Sequence, residues 1–411
     1  MSASLLFGIF IFILIADYLL NSVLDFLNAK HFNDDLPKEL QDVYQPEEYL
    51  KSQAYKKERS KFGTFHAGFS LLIILAFLFL KGFAFVNNIA LSFTENQILS
   101  GLIFFGIILF ASGIINIPFS YYSTFVIEEK YDFNKMSKKT FFFDLVKSTL
   151  VSAVLGGGIL AFIIWIYQLT GSNFWLYAWG FLTLFSVFMN MFYSRLIVPI
   201  FNKQTPLEEG SLRNKIEVYA KKVGFALDNI FVIDGSKRST KANAYFSGFG
   251  KEKRITLYDT LINDLEEEEI VAVLAHEVGH YKKKHIIYNI FAVIISTGFM
   301  FWIFSLLVES SILAEALSVA EPNFHIALVA FGILYAPISE ITGIFMNLLS
   351  RKFEYQADNY AKETYNAEDL ISSLKKLSSK SLSNLTPHKA YVFFHYSHPT
   401  LLQRIKNMKN Q

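Results

Sequence analysis

The stretch IVAVLAHEVGHYKKKHIIYNIFAVIISTGFMFWIFSLLVE, residues 270–309, decides the fold because it joins two different kinds of helix. Its first part carries apolar residues at helical spacing, which is typical of a helix that packs onto a water-soluble domain. Its second part, residues 287–309, is apolar over about 20 residues, the length that crosses ~30 Å of hydrocarbon. Lysines at 282–284 mark the expected membrane surface. The stretch therefore predicts a domain that continues directly into a membrane span.

The composition indicates that the whole chain is a membrane protein. Of its 411 residues, 52% are hydrophobic and only 18% are charged, which is too apolar for a soluble enzyme of this size. The chain has no cysteine, so disulfides, thiolate metal ligands and cysteine nucleophiles are excluded, and any metal site must use His and carboxylates. Seven apolar runs can each cross a bilayer: 4–26, 62–86, 98–119, 143–167, 175–200, 287–309 and 325–349.

Basic residues predict the orientation of these spans. Of the 38 Lys and Arg residues, all but Lys81, Lys147 and Arg195 fall in every second connection between spans, and therefore on one side of the membrane. By the positive-inside rule the N-terminus is outside and the C-terminus cytosolic, so the segment 276–280 faces the cytosol. The basic segments are 30–61, 120–142, 201–285 and 351–411, and the connections without Lys or Arg are 1–3, 87–97, 168–174 and 310–324.

The first apolar run carries a stripe of polar residues. Asp17, Asn21 and Asp25 recur every four residues and so share one helix face. A polar stripe inside a span is expected to face a polar interior, although hydrogen bonding between helices or a position at the membrane surface explains single residues equally well.

The pentapeptide His276-Glu-Val-Gly-His280 carries the chemistry. Two imidazoles four residues apart share one helix face and can bind one metal, while Glu277 is left free to act as a base on water. This signature predicts zinc-dependent peptide hydrolysis. We expect the motif helix to begin at Asn263 as N-cap, with Glu266 three residues later completing a capping box.

A hydrolytic zinc needs a third protein ligand and one open position. Directly after the last apolar run, Glu354 and Asp358 lie one helical turn apart. One of them can bind zinc while the other orients a ligand histidine through its second ring nitrogen. From spacing alone, Glu354 is also compatible with an ordinary surface charge.

Residues 203–285 are the one long stretch with the pattern of a soluble domain. The pattern predicts a helix at 208–223, a strand at 229–233 and a hairpin of 242–249 with 254–258. The motif helix follows this hairpin.

These separated motifs together resemble the integral-membrane CAAX prenyl proteases, the seven-span type I zinc metalloproteases. The resemblance covers nearly the whole chain, and the motifs occur in the same order. The matching segments are 125–134, 199–203, 243–249, 276–280, 354–358 and 397–402.

The resemblance implies roles for the residues of the metal site. His276, His280 and Glu354 would bind one Zn²⁺ per chain, and Glu277 would be the general base. Asp358 would orient a ligand histidine from behind.

The resemblance also implies residues that contact the substrate. Asn243, Ala244 and Tyr245 would belong to the edge strand along which the peptide lies. His398 would lie near the metal and stabilise the oxyanion, with His395 or a tyrosine as competing candidates.

The expected fold is a polytopic α-helical membrane protein in which seven transmembrane helices surround an intramembrane chamber. A mostly α cytosolic zinc-metalloprotease domain carries a small β-hairpin or sheet. The expected division of the chain is 1–200 for helices one to five with cytosolic loops 30–61 and 120–142, 201–285 for the metalloprotease domain, 286–350 for helices six and seven, and 351–411 for a cytosolic segment that supplies the third zinc ligand.

The function that the resemblance implies is removal of the C-terminal tripeptide from prenylated CAAX proteins, or cleavage of related membrane-associated peptides. Two alternatives stay open: a quality-control zinc protease for membrane proteins, and a transporter or channel with a structural metal. The expected partners are a peptide or prenylated protein C-terminus and the lipid bilayer, with no nucleic acid, and the chain is expected to be a monomer. A composition rich in Lys, Asn, Ile and Phe favours a bacterial inner membrane over the endoplasmic reticulum.

Overall fold

The long apolar runs fold into helices that dominate the molecule. The structure is a computed structural model that describes residues 1–32, 34–225, 230–248 and 253–409. Within these ranges, six helical stretches are long and apolar enough to cross a membrane, in agreement with the expected polytopic α-helical protein. They are Ala3–Lys30, Pro46–Phe79, Gln97–Glu128, Lys138–Phe201, His285–Leu307 and Phe324–Thr364.

The helices of the first half of the chain are interrupted by short turns. A π-helical turn, Ser123–Glu128, extends the fourth helix, and short 3-10 turns occur at Lys38–Leu40 and Gly171–Asn173. The helices are α1 (Ala3–Lys30), α2 (Pro46–Phe79), α3 (Gly82–Phe93), α4 (Gln97–Tyr122), α5 (Lys138–Thr170), α6 (Phe174–Leu196) and α7 (Val198–Phe201).

The second half alternates short domain elements with two long helices. Its helices are α8 (Ser211–Lys222), α9 (Asp259–Asp264), α10 (Glu267–Lys282), α11 (His285–Leu307), α12 (Ser311–Ala316), α13 (Phe324–Thr364), α14 (Ala367–Lys380), α15 (Lys389–His395) and α16 (Leu401–Lys409). Its strands are β1 (Gln204–Pro206), β2 (Ile230–Ile233), β3 (Ala244–Ser247) and β4 (Arg254–Tyr258).

The stretch Lys138–Phe201 is a helical hairpin. The rings of Phe162 and Phe181, which lie on opposite sides of the turn at Gly171–Asn173, have centroids 4.1 Å apart. Far from the turn, Lys147 Nζ still donates to the Ile200 carbonyl at 2.8 Å. The helices α5 and α6 therefore run antiparallel over most of their length.

The second predicted span, 62–86, extends too far at its C-terminal end. The helix α2 stops at Phe79, and Lys81 adopts a left-handed conformation with φ 56° before α3 begins at Gly82. A side chain at Gly82 would meet the ring of Phe77 at 2.4 Å, so this position needs a glycine for the chain to turn closely over that ring. With 12 residues, α3 is too short to span a bilayer.

The motif helix begins three residues later than predicted. Glu266, not Asn263, is the N-cap of α10, and its backbone N–H donates to the side chain of Glu269 at 2.9 Å. Asn263 instead lies within α9, and the buried Leu265 is extended between the two helices. The stretch 270–309 then bends at Lys284, which has φ 60°, so that α10 and α11 are separate helices.

Four strands form one sheet in the order β1-β2-β4-β3. The strands β2 and β4 are parallel, whereas the other two pairs are antiparallel. The predicted hairpin is the β3–β4 pair, with Ala244 opposite Leu257, and it leaves β3 at the edge of the sheet. The predictions for Asn229, Phe249 and the turn residues up to 252 fall outside the described residues.

Candidate metal centre

The helices α10 and α13 approach closely beside the predicted metal ligands. A Cβ on Gly279 would lie 3.1 Å from the backbone of Ala357, so a larger residue would push the helices apart. Apolar residues of α10, among them Ile270, Leu274 and Val278, bury against one core that includes the sheet and α13. This packing brings the face of the motif helix against the part of α13 beyond the last predicted span.

Three predicted ligands converge at this contact. His276 Nε2 lies 3.1 Å from His280 Nε2 and 3.3 Å from Glu354 Oε2, and His280 Nε2 lies 3.2 Å from Glu354 Oε1. Ligands held about 2.0–2.1 Å from zinc at tetrahedral angles are about 3.3 Å apart, so the spacing fits one metal ion. Two imidazoles and a carboxylate also suit zinc and related ions chemically.

Glu354 supplies a second indication that a cation belongs here. The residue is 4% exposed, and its Oε2 makes no hydrogen bond although it is buried. A buried carboxylate oxygen without a partner is costly unless a cation compensates it. Glu354 is therefore not the ordinary surface charge that its spacing alone permits.

The other nitrogen of His276 faces Asp358. Asp358 is fully buried, and its Oδ1 lies 2.9 Å from His276 Nδ1. Burial disfavours a charged imidazolium, but the adjacent carboxylates of Asp358 and Glu354 outweigh it and raise the pKa of His276 to about 9. The surroundings of this ring thus favour positive charge, whether a proton or a metal ion supplies it.

Arg404 completes the network around Asp358. Its guanidinium binds both oxygens of that carboxylate, with Nε at 2.9 Å, and its NH1 lies 3.6 Å from Glu354 Oε2. Arg404 was not predicted from the sequence. A signal was available, because Arg404 lies on the apolar stripe of α16 with Leu401, Ile405 and Met408, where an arginine needs a buried partner.

A different chain of groups supports His280. Its Nδ1 lies 3.0 Å from His285 Nδ1, and His285 Nε2 lies 2.8 Å from Gln356 Oε1. His285 also stacks on Phe353, with centroids 4.2 Å apart and planes at 10°. If His280 Nε2 binds a metal, the neutral ring carries its proton on Nδ1 and donates to His285, which in turn donates to Gln356. This chain of hydrogen-bonding groups was not predicted from the sequence, where only carboxylates were expected as partners of the ligand histidines.

Two further predicted residues lie at the site. Glu277 is half-buried, and its carboxylate makes no hydrogen bond or ion pair within the described ranges, although its charge acts on Arg404. His398 Nε2 lies 3.3 Å from Glu354 Oε1. His395 instead packs against Tyr391, with ring centroids 4.6 Å apart and planes tilted by 54°.

Family models match both halves of the chain. The model for the CAAX prenyl protease N-terminal region, described as five membrane helices, matches residues 25–203, and the model for peptidase family M48 matches residues 206–411. The rice CAAX prenyl protease 1 homolog (Oryza sativa) is 39% identical over 384 residues, which cover 91% of this chain and 90% of that protein. The chain belongs to the CAAX prenyl protease family.

Other members of the family are similar over the same extent. CAAX prenyl protease 1 of Saccharomyces cerevisiae is 35% identical, and the match covers 90% of this chain and 87% of that one. The human CAAX prenyl protease 1 homolog is 31% identical, with coverage of 91% and 88%. As a member of the CAAX prenyl protease family with an M48 domain, the chain is a metalloendopeptidase.

A solved structure supports the fold of this family member. The crystal structure of S. mikatae Ste24p matches with a TM-score of 0.94 and 33% identity, and the match covers 98% of this chain and 99% of that one. The arrangement of membrane helices and small sheet is thus the fold of the family.

The prediction of a bacterial inner membrane is wrong. The relatives named above are proteins of plant, yeast and human cells, so they point to a eukaryotic setting for this CAAX prenyl protease family member. The composition gave a wrong prediction because a high content of Lys, Asn, Ile and Phe does not indicate the kind of membrane in which a protein lies.

Proposed function

We propose that this chain is a zinc-dependent endopeptidase that removes the C-terminal tripeptide from prenylated CAAX proteins. The observation that carries the proposal is the convergence of His276, His280 and Glu354, whose ligand atoms all lie within 4.8 Å of one another. Relatives named CAAX prenyl protease 1 support the choice of substrate.

In this proposal His276, His280 and Glu354 hold one Zn²⁺. The chemistry that a bound zinc supplies is polarisation of the scissile carbonyl and a lower pKa for the attacking water. Glu277 takes the proton from that water and later returns it to the leaving amine. Its lack of any other partner within the described ranges supports this role, because its carboxylate is free to accept a proton.

Asp358 and His398 assist the reaction from different sides of the metal site. Asp358 accepts from His276 Nδ1 and so keeps Nε2 available as the ligand atom. His398 Nδ1 lies 2.9 Å from the Ser397 hydroxyl, which we assign as the donor, so that Nε2–H of His398 can donate to the oxyanion. Desolvation lowers the pKa of His398 and favours this neutral form, although 62% of the side chain stays accessible.

The substrate lies along the free edge of β3. Tyr258 N–H donates to the Asn243 carbonyl at 3.0 Å, so Asn243 and Tyr245 direct their backbone groups toward β4. By alternation, the backbone groups of Ala244 and Phe246 point to the free edge, and at present Ala244 N–H donates to the side chain of Asn243. An extended peptide can pair with these two residues by strand addition.

For the organisation of the chain we propose the division predicted from the sequence. Residues 1–200 contribute five membrane helices, 201–285 the metalloprotease domain, 286–350 two further helices and 351–411 the segment with Glu354. The antiparallel pair α5 and α6 supports counting seven spans, and the basic connections support a cytosolic metal centre.

The proposal is tested with purified protein and two peptides that share one CAAX sequence, one prenylated and one not. We expect cleavage of the prenylated peptide before its last three residues, loss of cleavage with a chelator, and recovery with added zinc. No cleavage by the zinc-loaded protein would overturn the proposal. Equal cleavage of both peptides would remove prenyl recognition and leave a zinc peptidase.

A further inference from the structure

Three basic side chains surround one carboxylate beside the N-terminal end of β3. Lys241 Nζ lies 2.8 Å from Glu128 Oε2, and Arg59 NH1 lies 3.3 Å from Glu128 Oε1. Tyr55 donates to the same Oε1 at 2.7 Å. Lys56 joins the cluster at Tyr55, since the centroid of this ring lies 5.3 Å from Lys56 Nζ and 5.5 Å from Lys241 Nζ. Three positive charges against one negative charge leave an excess of positive charge, which suits an anionic ligand.

Lys56 is the cation of this cluster that has no anionic partner of its own. Its side chain is half-buried, and within the described ranges its ammonium makes no hydrogen bond or ion pair. The ammonium lies over the ring of Tyr55, 5.3 Å from the centroid. A half-buried ammonium usually has a partner, because removal from water disfavours the charge. Lys56 can therefore bind an incoming carboxylate directly.

The cluster is fixed to the chain that leads into β3. Lys135 N–H donates to the Arg238 carbonyl at 3.0 Å, and Thr240 N–H donates to the Phe133 carbonyl at 3.1 Å. These bonds tie the stretch 123–135, which includes the π-helical turn with Glu128, to the residues before the edge strand. Single π-helical turns are frequent at functional sites. None of the roles assigned above uses this segment.

Lys241 continues the line of the edge strand. The β3–β4 register pairs Ala244 with Leu257. One step back along β3, the Asn243 carbonyl accepts from Tyr258 N–H at 3.0 Å, and two further steps back the Lys241 carbonyl accepts from the Thr260 hydroxyl at 3.2 Å. Lys241, three residues before Ala244, thus stays beside the chain that follows β4.

This spacing equals the length of the released peptide. Extended residues advance about 3.3 Å each, so three residues span about 10 Å on either strand. We propose that the cluster of Lys56, Arg59 and Lys241 binds the C-terminal α-carboxylate of a substrate that runs antiparallel to β3 with its scissile bond opposite Ala244. The inference rests on the proposed function, and it gives a physical reason for release of three residues and not more.

The test compares prenylated CAAX peptides that end in a free carboxylate or in a carboxamide. For the unmodified protein we expect kcat/KM to be about tenfold or more higher for the acid, because a charge-assisted pair is lost with the amide. In Lys56→Met the ratio of kcat/KM for the acid to kcat/KM for the amide should fall close to one, mainly because KM for the acid rises. Cleavage of the amide also reports that the variant is folded and loaded with metal.

Two matched variants separate charge at this position from general effects. Lys61→Met removes the same charge from the same helix, but five residues further along and thus about 140° around α2 from Lys56. We expect it to keep the acid-to-amide ratio of the unmodified protein. Lys56→Arg keeps the charge and should keep most of the preference.

The outcomes distinguish this inference from the proposed function. If the zinc-loaded protein cleaves neither peptide, the proposed function fails and the inference fails with it. If the unmodified protein cleaves acid and amide equally, or if Lys56→Met keeps the preference, the cluster does not bind the carboxylate while the protease assignment stands. A preference that disappears equally in Lys61→Met would also overturn the assignment to Lys56.

Discussion

Polar residues are used differently in the metal centre and in the first membrane helix. At the metal centre, Asp358 is fully buried and its partners lie on two other helices, with His276 on α10 and Arg404 on α16. In α1, Asp17 is exposed and accepts from Asn21 of the same helix at 3.2 Å. The metal centre thus depends on contacts between elements, whereas Asp17 and Asn21 of α1 bond to each other within one helix.

The largest effect, a loss of peptide cleavage, is expected at Glu277, the proposed general base of the metal centre. Glu277→Gln keeps the shape of the side chain but removes the general base, so cleavage should fall by about 100- to 10,000-fold. Zinc content should stay at the level of the unmodified protein, since Glu277 is not a ligand. Peptide cleavage and metal content measured on one preparation check both expectations, and normal turnover by this variant would contradict the proposed mechanism.

The next largest effect, a loss of zinc affinity, is expected when Asp358 no longer links α10 to α16. Asp358→Asn removes the charged acceptor of His276 and leaves the buried Arg404 without its carboxylate, so zinc affinity should fall by about 10- to 100-fold. Adding Arg404→Met to this variant should cost less than the two single losses combined, because the unpaired charge disappears. Competition with a metal indicator measures the affinities. Strict additivity of the two substitutions would show that these side chains act independently.

A smaller loss of zinc affinity is expected when His285, the hydrogen-bond partner of the ligand His280, is replaced. His285→Phe keeps an aromatic ring on Phe353 but cannot accept from His280, so zinc should bind about tenfold more weakly. The loss should be smaller than that in Asp358→Asn, because a neutral imidazole is a weaker acceptor than a carboxylate. The same competition assay ranks the two variants, and the reverse order would contradict the assigned hydrogen-bond chain.

The smallest effect is expected in α1. Asp17→Asn keeps a side-chain oxygen that can accept from Asn21, so stability should change by less than about 0.5 kcal/mol and activity by less than about twofold. Thermal unfolding and peptide cleavage measure the two quantities. A loss of activity as large as that in Asp358→Asn would remove the contrast between the two regions and assign a function to the stripe.

The features that the sequence predicts well depend on local spacing. The apolar runs became helices, the hairpin became β3 and β4, and the His276 motif lies on a helix. The need of a hydrolytic metal for a third ligand pointed to Glu354 or Asp358, and the family resemblance then assigned the role to Glu354. These inferences need only periodicity and chemistry within a short segment.

The features that were missed depend on contacts between distant segments. The end of α2 at Phe79 follows from the packing of Phe77 over Gly82, which an apolar run does not reveal. Arg404 and Gln356 become functional only when α13 and α16 meet the motif helix. The kind of membrane depends on the cell and not on the fold, which is why composition gave the wrong answer.

The zinc content of Glu354→Ala tests the central claim most directly, because this ligand joins the motif helix to the continuation of the last membrane helix. The unmodified protein should hold about one zinc per chain and Glu354→Ala about a tenth of that or less under the same conditions, with elemental analysis as the measurement. Retention of one zinc per chain at unchanged affinity in Glu354→Ala would contradict the account, since the metal would then be bound without the third ligand.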